Sequence, residues 1–187
     1  KKSLGPLGKQ GVLPGVFPAE LLPIAKSLSH YTFVGPLGSG SNGAAYQLAS
    51  IGNPDFRACL KTISPQITDT LAREKVAETL RKEVEILGPL RHRCLPSVLT
   101  SSVHGSMPYY VSSFHPGDTA SQFIKSTKWL GVQDSLFLVS SLIDVLEFLH
   151  SQGRTHCDLH GGNLMLSENV LRDGVLVIDL GSGHRQS

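Results

Sequence analysis

Two carboxylates and one carboxamide near the C-terminal end of the chain are spaced to work on one reaction. Asp158 and Asn163 lie in His156-Cys157-Asp158-Leu159-His160-Gly161-Gly162-Asn163, and Asp179 opens Asp179-Leu180-Gly181. A carboxylate beside an acceptor hydroxyl can take its proton. Side-chain oxygens of Asp and Asn are the hard ligands that hold Mg²⁺ against a triphosphate. Phosphoryl transfer is the chemistry such a set would serve. Each residue also has a plain structural reading: Asp158 and Asp179 as turn formers, His156 as a hydrogen-bonded core histidine. The rest of the chain must therefore supply a nucleotide site.

The elements around these residues read clearly. Leu136, Val139, Leu142, Ile143, Leu146 and Leu149 recur at helical spacing, which predicts a core helix over 134–150 that ends before Gly153. Leu164-Met165-Leu166 and Val175-Leu176-Val177-Ile178 are short apolar strands joined through a turn at Asp173-Gly174. One strand follows Asn163, and the other leads into Asp179.

Further upstream, strands over 31–37 and 44–49 flank Gly38-Ser39-Gly40-Ser41-Asn42-Gly43. A dinucleotide fingerprint needs a helix straight after its glycines. Here Gly52-Asn53-Pro54-Asp55 marks a second turn instead. A strand–loop–strand with Gly38, Ser39, Gly40, Ser41 and Gly43 could lay backbone N–H groups over phosphates, and an ordinary Gly/Ser hairpin is the other reading. On the next strand, 56–63, Lys61 shares a face with Cys59 and Ile63 and needs an anion or a route to water. The helix predicted over 69–87 has the stripe Val76, Leu80, Val84, Leu87, and Glu83 falls on it while Glu85 does not. An ion pair between Lys61 and Glu83 satisfies both; a solvated surface pair is the alternative. His92, alone beside a turn, reads as structural. Strands over 98–103 and 108–114 lead to a break at His115-Pro116-Gly117-Asp118, where Ser113 and His115 are placed to meet a nucleotide base.

Composition narrows the class. The 187 residues carry a net charge of +2, giving no reason to invoke nucleic acid or an anionic membrane. The apolar run 137–149 is interrupted by Asp144 and Glu147, so it is not a bilayer span. Three cysteines without paired spacing argue for a reducing compartment rather than a disulfide or zinc framework. Residues 19–28 form a short helix in an otherwise Gly/Pro-punctuated lead-in, with Leu21, Leu22, Ile24 and Leu28 packed on the body.

From about Tyr31 to Gly181 the chain resembles a protein-kinase catalytic core. Gly38, Gly40 and Gly43 match the glycine-rich loop, Ala58-Cys59-Leu60-Lys61 the strand with the phosphate-contacting lysine, and Glu83 its helix partner. His156-Cys157-Asp158 with Asn163 matches the catalytic loop, and Asp179-Leu180-Gly181 the metal-binding D-F-G. The resemblance implies an α+β, two-lobe fold: a lead-in (1–30), a β-rich N-lobe with one regulatory-type helix (31–114) and a strongly reduced helical C-lobe (115–187). It implies ATP and Mg²⁺ as cofactors, catalysis by Asp158, Lys61 and Glu83, metal binding by Asn163 and Asp179, and Ser/Thr protein phosphorylation. Cys157 stands where an Arg is usual, so control through a phosphorylated activation loop is not expected; His160 stands where a Lys is usual.

Only six residues follow Gly181, without an A-P-E segment. That resembles the very small Ser/Thr kinase effectors that Gram-negative pathogens inject into host cells. The expectation is then a bacterial protein acting in the host cytoplasm on a host protein, with a cytosolic heat-shock chaperone as the candidate. The wording Asp158-Leu159-His160 is also similar to aminoglycoside phosphotransferases and choline kinases, which keeps a small-molecule acceptor open. A nucleotide-binding pseudokinase is the non-enzymatic alternative.

Overall fold

The computed structural model describes residues 15–40, 42–126, 129–167, 174–182 and 184–185. A five-stranded antiparallel sheet comes first, in the order β1-β2-β3-β5-β4. Its strands are β1 (Tyr31–Gly40), β2 (Gly43–Ser50), β3 (Arg57–Thr62), β4 (Val98–Ser102) and β5 (Tyr109–Ser113). Alternation gives the sheet a buried face: Phe33, Tyr46, Leu48, Leu60 and Val111 pack together, covered by Leu21, Ile24 and Leu28. Those three come from the lead-in, where α1 (Leu22–Ala25) is flanked by 3-10 turns at Ala19–Leu21 and Lys26–Leu28. Leu22 departs from expectation and stays 59% exposed, because a helix this short turns only one side to the sheet.

β1 and β2 run closer to the glycines than the sequence suggests. Gly40 pairs with Gly43, and two register shifts, between Phe33 and Gly35 and between Pro36 and Gly38, bend β1 on the way. The turn between them is thus reduced to two residues.

The helix α2 (Thr70–Leu87) crosses the sheet's other face. Asp69 caps it, its side chain accepting from Ala72 N–H at 2.8 Å, and Gly88-Pro89 ends it. Val76, Ala77 and Leu80 meet Ile63 and Tyr110, while Ile86 and Leu87 continue into a second core with Leu90, Leu95, Val145, Leu149, Val177 and Leu180. α2 therefore joins the sheet to the C-terminal half of the chain.

After Ser113 the chain passes through β6 (Asp118–Thr119), α3 (Ala120–Lys125), α4 (Val132–Ser151), β7 (Arg154–Thr155), β8 (Leu164–Leu166) and β9 (Val175–Val177), then a 3-10 turn (Leu180–Ser182) and β10 (His184–Arg185). α3 opens with a capping box between Thr119 and Gln122. β6, β8 and β9 form one small sheet, and β7 pairs with β10.

α4 corrects the expectation of a wholly buried core helix. Val145 and Leu149 are buried, but Val132 (77%), Leu136 (66%), Val139 (51%) and Ile143 (52%) are exposed. Its apolar residues occupy two stripes, and only one faces the second core among the described residues. No described helix is long and apolar enough to cross a membrane.

Candidate active site

The first half of the site is assembled by the sheet and α2. β3 presents Lys61 beside Cys59, and Glu83, 1% exposed, reaches it from the inward stripe of α2. Lys61 Nζ donates to Glu83 Oε2 at 2.7 Å and to Asp179 Oδ1 at 3.0 Å. A strand, a helix and the turn after β9 thus converge on one ammonium group. Burial alone would lower the Lys61 pKa, but Glu83 and then Asp179 outweigh it and the net shift is upward. Tyr110, opposite Lys61 in the β3–β5 register, is buried beside the pair. Its phenol is pushed well above its usual range by burial first and by Glu83 second. Burial likewise raises the Cys59 thiol to about 11, so it is neutral beside the ion pair.

Gly43 is fixed by space as well as conformation. Its φ is +114°, and a Cβ there would lie 2.5 Å from the Thr62 carbonyl oxygen. A side chain would thus wedge β2 away from β3 just beside Lys61. Gly38, Ser39 and Gly40 lie on β1 along the same hairpin; Ser41 lies outside the described residues.

Ser113 ends β5, and His115 follows it on the way to β6. Ser113 donates its N–H to Ser97 O at 2.9 Å and accepts from Ser97 N at 3.0 Å. Its hydroxyl also stands 3.3 Å from His115 Nε2. The Ser113 side chain and N–H are therefore spent within the protein.

The second half is held mainly through the backbone. His156 is 3% exposed, and its Nδ1 accepts from Asp158 N–H at 3.3 Å. The ring proton is thereby on Nε2, which donates to Ile178 O at 3.0 Å. His156 so ties the loop carrying Asp158 to the residue before Asp179. Asn163 repeats the link: its Nδ2 donates to Asp158 O at 3.0 Å, and its carbonyl accepts from Ile178 N–H at 3.0 Å. Leu180, fully buried in the second core, anchors Asp179 from the other side. Two non-glycine residues have left-handed backbones here, Cys157 (φ 62°) and Asp179 (φ 66°). Such conformations cost about 1–3 kcal/mol each and persist where surrounding bonds impose them.

Sequence reasoning did not find Tyr110, the Ile178 carbonyl or these two strained residues. Tyr109-Tyr110 gives no sign of which ring faces α2, and the other features depend on contacts distant in the chain. His92 is structural, as expected: it stacks on Phe148 at 4.9 Å, and its Nδ1 accepts from Cys94 N–H.

The residues fit a hard divalent cation shared with a nucleotide. Asn163 commits its amide nitrogen and leaves Oδ1, while Asp179 commits Oδ1 to Lys61 and leaves Oδ2. Among the described residues no group of three His, Cys, Asp or Glu could hold a metal unaided. Two protein oxygens completed by phosphate oxygens is how Mg²⁺ is commonly bound.

Residues 31–187 match the protein kinase domain. Among curated relatives, Aurora kinase C of Mus musculus is 26% identical over 79% of this chain and 54% of its own length. The serine/threonine-protein kinase B of Synechocystis is 24% identical over 83% of this chain and 27% of its own. The probable serine/threonine-protein kinase YbdM of Bacillus subtilis is 24% identical over 72% and 52%. The chain spans about half the length of these relatives, or less. The sheet with one crossing helix, the reduced helical remainder and a family match over most of the sequence agree, and the chain belongs to the protein kinase domain family.

Proposed function

We propose that this chain transfers the γ-phosphoryl group of ATP to a serine or threonine hydroxyl of a protein, with Mg²⁺ as the divalent cation. The observation that carries the reading is Lys61 bridging Glu83 and Asp179, residues 22 and 118 positions away in sequence, at hydrogen-bond distance. Nothing in a merely structural ion pair calls for a second carboxylate from the far lobe. Family membership and the Ser/Thr kinases among the relatives support the acceptor class.

In this reading Lys61, oriented by Glu83, binds nucleotide phosphate oxygens. Gly38, Ser39, Gly40, Ser41 and Gly43 cover the phosphates with backbone N–H groups, and the chain at Ser113 and His115 meets the base. Asn163 and Asp179 hold the cation, which when bound neutralises charge on the phosphates. Asp158 takes the acceptor hydroxyl's proton as that oxygen attacks phosphorus and the bond to the departing ADP breaks. Asp158 suits this because its carboxylate is partly exposed and its loop is fixed through backbone and His156 rather than through the carboxylate. We place the lobe boundary at 114/115, just after the large sheet ends at Ser113, and treat 1–30 as a lead-in; the burial of Leu21, Ile24 and Leu28 on the sheet supports that division.

The test is transfer from γ-labelled ATP with Mg²⁺ into a serine- and threonine-containing peptide pool. Wild type is expected to label the pool, and Asp158→Ala and Lys61→Met are expected to fail. A narrower proposal makes the acceptor a host-cell protein, with a cytosolic heat-shock chaperone as the candidate and delivery by a Gram-negative pathogen into the host cytoplasm. It rests on the resemblance alone, and a phosphosite map of host lysate that lacks chaperone sites would remove it.

A further inference from the structure

Among the arginines with described side chains, Arg154 alone is buried without an acceptor. It is 9% exposed, and no described residue takes a hydrogen bond from its guanidinium or pairs with it. Arg73, Arg81, Arg91 and Arg93 each donate to an oxygen of the protein, and Arg57 is exposed. A guanidinium has five N–H donors and stays charged at every accessible pH. Burying one with no counter-charge is costly for any fold. Yet no sealed side-chain nitrogen among the described residues lacks a partner. The small exposed part of Arg154 therefore includes its guanidinium, which a ligand can approach from outside.

The strand pair places a second cation beside it. Gly153 (φ +65°) ends the turn after α4, and β7 starts at once. Alternation puts Arg154 on the side of buried His156, and Thr155 on the side of exposed Cys157, whose Sγ is 3.1 Å from Thr155 Oγ1. Across the ladder, Arg185 stands opposite Arg154, and His184 opposite Thr155. Facing positions of an antiparallel pair are about 5 Å apart, and like charges there destabilise it. A bound anion would relieve both the burial of Arg154 and this repulsion.

The spacing selects the anion. A carboxylate presents one edge, which a single guanidinium fork fills. A tetrahedral phosphate dianion presents oxygens to two forks and matches their summed charge. We propose that Arg154, with Arg185 at the facing position, forms an anion site for a phosphate group, free or carried on a phosphorylated side chain. Occupied, it braces the β7–β10 pair two residues before His156, which fixes the Asp158 loop to Ile178. None of the residues placed around nucleotide or cation belongs to these two strands, so the site stands whether or not the chain transfers phosphate.

Thermal unfolding of the full chain tests it in two arms. One compares sodium phosphate with sodium chloride at equal ionic strength; the other compares a phosphoserine peptide with its unphosphorylated form. Arg154→Met keeps the buried stem, removes the donors and reports phosphate's general stabilising effect. The wild-type midpoint is expected to rise about 4 °C more than that of Arg154→Met once ligand exceeds its Kd about tenfold. A rise in the phosphate arm assigns the site to free phosphate, and a rise with the peptide alone assigns it to a phosphorylated chain; either upholds it. An equal rise in Arg154→Met would put the anion elsewhere, and that outcome, or no wild-type rise in either arm, overturns the proposal. In chloride, Arg154→Met is expected to unfold no lower than wild type, because it removes an uncompensated buried charge. A clearly lower midpoint would reveal an acceptor within the protein and overturn it as well.

Discussion

Lys61 sits between two carboxylates, 2.7 Å from Glu83 and 3.0 Å from Asp179. Asp158, by contrast, has no described side-chain partner closer than His160 at 3.8 Å. The first group is held by charge and the second by backbone: His156 and Asn163 fix the loop and leave the Asp158 carboxylate uncommitted. A cation that must grip phosphate gains from being pre-oriented and kept charged by anions. A base gains from an unspent lone pair. The difference separates what each region contributes to stability from what it contributes to chemistry.

Asp158→Asn tests that separation where activity should change most. It is expected to lower phosphoryl transfer by about 10³-fold, within the range for loss of a general base, while the midpoint of thermal unfolding stays within about 2 °C, as for a surface substitution. A large drop in stability would show that the carboxylate is structural after all. Lys61→Met should do both kinds of damage, because it leaves Glu83 buried without its cation. We expect about 3 kcal/mol of destabilisation by urea titration, with transfer abolished. Equal stability of the two variants would erase the contrast between the regions.

Gly43→Ala gives a smaller effect on the charge-held side. The left-handed backbone and the 2.5 Å approach to Thr62 O predict about 1–3 kcal/mol of destabilisation and a raised KM for ATP. The pH dependence is smaller again. Lys61 has a folded pKa raised above its unfolded value of 10.5. Its stabilisation is therefore fully present below that value and is lost as pH rises through the folded pKa. Urea midpoints measured from pH 9 upward should fall more steeply for wild type than for Lys61→Met. Least affected are the thiols: Cys59, raised to about 11, and buried Cys94 should resist iodoacetamide at pH 7.5 in the native protein, leaving exposed Cys157 to react.

Glu83 was legible in the sequence because one helix position decides it: seven residues after Val76 and four before Leu87 puts a charge on an apolar stripe. Asp158, Asn163 and Asp179 were legible by type and order. The bonds that set their geometry were not, since His156 to Ile178 and Asn163 to Ile178 depend on a register that no local pattern specifies. The left-handed backbones at Cys157 and Asp179 were hidden for a related reason: neither residue is glycine, so long-range bonds impose the conformation. α4 shows the limit of periodicity. Leu136, Val139 and Ile143 fit helical spacing as well as Val145 and Leu149 do, yet only the latter pair is buried. Spacing finds apolar faces and does not say which one meets the body.

The most direct test of phosphoryl transfer through Asp158 is a single-turnover measurement from ATP to peptide serine or threonine, with Mg²⁺ present and with it chelated. Wild type is predicted to give phosphopeptide only with the cation, and Asp158→Ala to give none while still binding ATP with the wild-type Kd. Transfer by Asp158→Ala at the wild-type rate, or a wild type that binds ATP and transfers nothing, would contradict it.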